Sequence, residues 1–167
     1  MSKIFKIGDQ VVYPSHGVGE IIGEETQIVG GMELKVYIIS MLKEKMILRV
    51  PVKRASIAGL RLLCSIDNFQ SAFLTLQKKS KVSKGMWSKR AQEYELKINS
   101  GNVHSLAEVV RDLHKNASDP DRSYSERIIY ESALNRLAFE FSVVEGIPLD
   151  KAINIVTNYI HEDDYAA

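Results

Sequence analysis

Lys78-Lys79-Ser80-Lys81-Val82-Ser83-Lys84-Gly85-Met86-Trp87-Ser88-Lys89-Arg90 divides the chain into two kinds of sequence. The run holds six cationic residues, no acidic ones, and the only tryptophan of the 167 residues. The residues before it read mainly as strands and the residues after it as helices. Basic side chains around one large aromatic suit a nucleic-acid surface, with charge for phosphates and an apolar plate for bases. The same run also reads as a solvated linker entering a helix, with the tryptophan as a core residue.

On its C-terminal side the apolar spacing is helical throughout. Trp87, Ala91, Tyr94 and Ile98 share one face, and Ser100-Gly101 stops that helix. Asn102 opens the next, with Val103, Leu106, Val109, Val110 and Leu113 apolar and an end expected near Asn116. Ser123 and Glu126 form a capping-box pair before the longest helix, which carries Tyr130, Leu134, Leu137, Phe141 and Val144. Gly146 ends it, and Pro148 suits the first turn of a last helix bearing Ala152, Ile155, Val156 and Tyr159. Just before the basic run, Asp67 is expected to cap a helix with Phe69, Ala72, Phe73 and Leu76 on one face.

Further toward the N-terminus the punctuation changes. Val11-Val12-Tyr13 is a strand stopped by Pro14, and Pro14-Ser15-His16-Gly17 is a turn. Val18 to Val29 is β-branched but broken by Gly19 and Gly23, which suggests bends or a bulge. Gly30-Gly31 signals a hairpin between it and Leu34–Ile39, and Leu42-Lys43-Glu44-Lys45 turns into a strand over Met46–Pro51. A short helical turn is expected near Lys53–Ala58. Short strands with tight turns in about 55 residues make a small barrel. The expected fold class is α+β: an N-terminal antiparallel Tudor/SH3-like β-barrel, residues 1–60, followed by an all-helical domain of about five helices, residues 61–167.

Charge follows the same division. Residues 1–66 carry a net +3, residues 67–97 a net +4 and residues 98–167 a net −6, so the overall +1 hides a basic middle. The hydrophobic fraction of 45% is that of a folded globular chain. No apolar run approaches the roughly 18 residues of a membrane span, and the N-terminus lacks a signal-peptide core. The single cysteine, Cys64, sits in Leu62-Leu63-Cys64 and reads as a small buried residue. A soluble protein of a reducing cytoplasm, with no membrane contact, is expected.

Enzymatic chemistry finds no support. The sequence has no phosphate loop, dinucleotide fingerprint, nucleophile elbow or zinc-type Cys/His spacing. His16 belongs to a turn, His104 and His114 lie ten residues apart on one helix, and His161-Glu162-Asp163-Asp164 reads as a solvated tail. No catalytic residue, metal or cofactor is expected.

Trp87 remains open on periodicity alone, because it lies in line with a core stripe. Its place in the first turn after Gly85, with Lys84, Lys89 and Arg90 around it, also lets it project as a wedge between bases. A resemblance bears on the choice. Phe5-Lys6-Ile7-Gly8-Asp9-Gln10-Val11-Val12-Tyr13-Pro14-Ser15-His16-Gly17-Val18-Gly19 resembles the opening of the CarD/CdnL family of bacterial RNA polymerase-binding transcription regulators. Leu48-Arg49-Val50-Pro51 resembles its later barrel strand, Trp87-Ser88-Lys89-Arg90 its DNA-contacting motif, and Ser100-Gly101-Asn102 with Ala107–Leu113 its next helix entry. The N-terminal module also resembles one in transcription-repair coupling factors, whose helicase motor has no counterpart in these residues.

The resemblance implies a barrel that docks on the RNA polymerase β subunit through Arg49, with Leu48, Pro51 and Gln27 around it. Gln27 stands where some members carry arginine. It also implies a monomeric protein of the transcription machinery, whose helical domain stabilises the promoter open complex at the upstream edge of the bubble. That domain would contact minor-groove DNA without sequence specificity, through Trp87 as a wedge with Lys84, Lys89 and Arg90 as its basic neighbours. Gln92 replaces a lysine of some members. The alternative is a protein-interaction adaptor on the transcription machinery that does not touch DNA.

Overall fold

The computed structural model describes residues 4–80, 85–114 and 123–164. The chain divides between residues 63 and 64 into two compact units, and the fold class is the α+β one expected.

The N-terminal unit is a Tudor/SH3-like antiparallel sheet. Its strands are β1 (Gln10–Tyr13), β2 (Gly17–Val29), β3 (Met32–Met41), β4 (Ile47–Pro51) and β5 (Arg61–Leu62), in the spatial order β4-β3-β2-β1-β5. Gly30 and Gly31 join β2 to β3 with φ of 59° and 80°, the paired positive values of a tight hairpin turn that only glycine adopts freely. The bend in β2 is a register shift between Ile21 and Gly23. Gly19 has a steric reason to be glycine: a Cβ there would lie 2.7 Å from the Ile39 side chain and 2.9 Å from Met41 Sδ. Phe5, Val11, Ile21, Tyr37, Ile39 and Val50 form the core together with Ala55 of helix α1 (Val52–Ala58). The two-residue β5 was not visible as a strand in the sequence. It exists because Val11 and Val12 of β1 offer it a ladder, a partnership between positions fifty residues apart.

The C-terminal unit consists of five helices among the described residues: α2 (Ile66–Gln77), α3 (Trp87–Asn99), α4 (Val103–His114), α5 (Tyr124–Glu145) and α6 (Leu149–Asp164). The cap of α2 differs from expectation. Ser65 holds the N-cap, its hydroxyl accepting from Asn68 N–H at 3.3 Å, and Asp67 falls inside the first turn, where its charge favours the helix dipole. Ser123 caps α5, its hydroxyl accepting from Glu126 N–H at 3.1 Å, one half of the expected capping box. Gly146 ends α5 in the left-handed conformation.

α5 packs against the other four helices of the unit. Its buried residues therefore spread beyond the expected stripe to include Ile129, Ala133, Ala138 and Glu140, whereas Leu134 and Val144 lie at the margin. Phe141 of α5 meets Phe69 and Phe73 of α2 edge-on, with centroids 5.4 and 5.0 Å apart. Glu140, 2% exposed, accepts a hydrogen bond from the backbone N–H of Cys64 at 2.8 Å. Cys64 is half-buried against this core rather than enclosed by it, since it stands at the chain's entry to the unit.

Candidate nucleic-acid interface

Trp87 is the first residue of α3. Met86 precedes it at the N-cap with extended backbone, no side chain caps this helix end, and no acidic residue stands in the first turn. An end of this kind offers backbone N–H groups and the positive pole of the helix dipole to anions. Ser88 and Lys89 are exposed there, as are Lys78 and Lys79 upstream. Met86 is 78% exposed, a second apolar side chain beside the tryptophan. Lys84 lies outside the described residues. Gln92 is exposed on the next turn.

The stripe along α3 runs from core to rim. Tyr94 and Ile98 are each 5% exposed, whereas Ala91 and Trp87 are half-buried and pack on the core from its margin. The Trp87 and Tyr94 rings lie 6.2 Å apart at 45°. The two sequence readings of Trp87, core residue and projecting plate, therefore meet in one side chain: rooted on the helical core, with part of it accessible at the helix end.

Arg90 sits otherwise than a solvent-facing phosphate contact would. Its guanidinium lies over Trp87 at 5.4 Å and over Tyr94 at 5.9 Å, and Nη2 donates to Tyr94 Oη at 3.4 Å. Its Nε is buried without a hydrogen-bond partner among the described residues. The spacing held a signal for this that the sequence reading did not use. Arg90 stands three residues after Trp87 and four before Tyr94, so all three occupy one helix face. The third basic residue of α3, Lys97, is engaged elsewhere, 2.8 Å from Glu108 of α4.

His16, His104 and His114 serve packing and turns. His104 Nε2 lies 3.1 Å from Ser71 Oγ, His114 Nδ1 lies 2.6 Å from Tyr130 Oη, and His16 stacks loosely on Tyr13. Among the described residues no group of three or more His, Cys, Asp or Glu could hold a metal ion. No described helix is long and apolar enough to cross a membrane.

In the sheet unit, β4 is an outer strand. Arg49, midway along it, is largely exposed, and its Nε lies 3.6 Å from Glu25 Oε2 across the sheet. This carboxylate was not foreseen, because its proximity depends on the register of β2 and β3. Gln27, opposite Leu34 on the outer half of the β2–β3 hairpin, is exposed. Leu48 is half-buried on the sheet core. Pro51 lines a groove of about 530 Å³ together with Tyr13, Leu34, Lys53, Arg54 and Ile57. Arg49, Leu48 and Pro51 thus share one short strand, and Gln27 lies two strands away.

Comparison with known proteins matches both units. Residues 71–157, more than half of the chain, match the CarD C-terminal domain. Residues 5–63 match the CarD-like/TRCF RID domain, a type of domain that interacts with the RNA polymerase β subunit. The chain is 28% identical over 144 residues to YdeB of Bacillus subtilis (strain 168), designated a candidate transcription factor; the match covers 86% of this chain and 94% of that protein.

Proposed function

The chain belongs to the CarD family, and on that footing we propose that it is a transcription regulator that docks on the RNA polymerase β subunit and stabilises the promoter open complex. The two tasks fall to the two units. The sheet unit, residues 1–63, binds polymerase through Arg49, with Leu48, Pro51 and Gln27 completing the surface. The helical unit, residues 64–167, contacts minor-groove DNA at the upstream edge of the bubble without reading its sequence. Trp87 is the wedge there, and Lys84, Lys89 and Arg90 supply positive charge. The protein acts as a cytoplasmic monomer, by binding alone.

The observation that carries this reading is the start of α3. A partly accessible indole stands at a helix end that has no acidic residue in its first turn and no side-chain cap, beside an exposed lysine. A patch with this few cations binds DNA weakly and without sequence preference at physiological salt. Docking on polymerase supplies the missing affinity by raising the local concentration of the helical unit near the fork.

Selectivity for the open state then follows from geometry. Intact duplex keeps its bases stacked, and the bubble edge presents a step that is already open. Only a difference in affinity between closed and open states can shift their equilibrium. Stacking of a base on an aromatic side chain is worth about 1–3 kcal/mol, which corresponds to about 5- to 150-fold in open-complex population. The deciding experiment pairs polymerase pull-down with a promoter-opening assay, wild type against Trp87→Ala. The reading expects retained polymerase binding and a shortened open-complex lifetime. An unchanged lifetime would leave an adaptor that does not touch DNA.

A further inference from the structure

We infer that Arg90 and Tyr94 are positioning residues for Trp87, with Arg90 clamping the indole against Tyr94 as its main task. The inference deepens the wedge reading above and rests on it for its functional consequence. It starts from the anchoring of Tyr94, which is buried in the helical core and so provides a fixed surface. Arg90 reaches both rings from the turn between them, within cation–π range of each, and its Nη2 is tied to Tyr94 Oη.

The unpartnered Nε is the telling atom. A buried donor with no acceptor costs free energy, so this side-chain position is favourable only if the rest of the group gains elsewhere, and the two aromatic faces are that gain. A group whose sole task was to hold phosphate would present all its N–H donors to solvent. Lys89, the exposed neighbour, fits that task better. The helix end itself has no side-chain cap to steady its first residue. Trp87 is therefore held by ring contacts, and a side chain restrained before binding loses less conformational freedom on stacking with a base. Lysine cannot replace this arginine, because it lacks the flat, weakly hydrated guanidinium that stacks on aromatic faces.

Trp87 is the only tryptophan, so emission excited selectively in the tryptophan band, beyond the absorption of the seven tyrosines, reports on this side chain alone. Acrylamide quenching and open-complex lifetime on cognate polymerase are measured for wild type, Arg90→Lys and Tyr94→Phe, with helicity followed by circular dichroism. Arg90→Lys is expected to raise the quenching constant and to shorten the lifetime about two- to fivefold, the range of a partly exposed cation–π contact. Tyr94→Phe keeps the ring and loses the acceptor, so it should shift both readouts less, in the same direction. If Arg90→Lys does not fold, Arg90→Gln is read in its place with the same expectation. Wild-type quenching in a folded Arg90→Lys protein overturns the inference, and a lifetime that any cation at position 90 sustains reduces Arg90 to a charge. The wedge reading fails separately, if Trp87→Ala has a wild-type lifetime. In that case quenching still decides whether Arg90 clamps the indole.

Discussion

Arg49 and Arg90, the arginines of the two proposed contact surfaces, are held in opposite ways. Arg49 stands on an outer strand, largely exposed, and lies 3.6 Å from a carboxylate that is itself 44% exposed. Arg90 folds back over two aromatic rings, one of them in the core, with one of its nitrogens sealed from solvent. In the sheet unit Arg49 lies outside the core, although its neighbour Leu48 packs against that core. In the helical unit the proposed contact residues Trp87 and Arg90 share contacts with the core residue Tyr94. Proposed recognition and stability are therefore separable at Arg49 and entangled at Trp87 and Arg90.

Trp87→Ala probes the entangled side hardest. It should shorten the open-complex lifetime by about 5- to 150-fold and also cost about 1–3 kcal/mol of stability, less than a fully buried tryptophan because Trp87 is half-buried. Thermal or denaturant melts beside the lifetime assay read the two losses; a lost lifetime with no loss of stability would break the entanglement. Gly19→Ala asks the converse question of the sheet unit. The new methyl meets Ile39, which is fully buried, so a destabilisation of about 1–3 kcal/mol is expected. Among molecules that remain folded, polymerase affinity should stay near the wild-type level, because Gly19 pairs with Met41 on β3, three positions from Ile38, the partner of Arg49; a shift passed on through Ile39 to its partner Leu48 would show as a loss.

Arg49→Glu reverses a charge that the core does not use. Polymerase binding should weaken about tenfold, while the melt stays within about 0.5 kcal/mol of wild type. Unchanged affinity removes Arg49 from the docking surface. Glu25→Gln should have the smallest effect. The exposed pair it breaks is worth at most about 1 kcal/mol. Freeing Arg49 from it should leave stability almost unchanged and raise polymerase affinity by no more than a few-fold, and only while Arg49 is present.

What the sequence revealed and what it hid divide along local and non-local lines. The stripe Phe69, Ala72, Phe73, Leu76, the Ser123 cap and the Gly30-Gly31 hairpin were legible because each depends on residues within one or two turns of each other. At α2 two cap-forming residues stood two positions apart, and only the backbone course decided for Ser65. The pairing of β5 with β1, the reach of Glu25 to Arg49 and the buried carboxylate of Glu140 join distant positions, and no periodicity announces them. Arg90 was legible as a cation next to the Trp87 turn. Its inward turn is a rotamer choice made by Tyr94, which composition could not convey.

The bond from Cys64 N–H to Glu140 bears on how this molecule would carry load. A protein tethered to a moving polymerase at its N-terminal side receives tension where the chain enters the helical unit. That tension meets, at its first residue, a hydrogen bond to the central helix α5. Entry tied to the middle of a bundle forces a pull to shear buried contacts together, instead of peeling α2 away one turn at a time. The proposed grip on DNA would then yield late and abruptly as force rises, with Glu140 as the bolt.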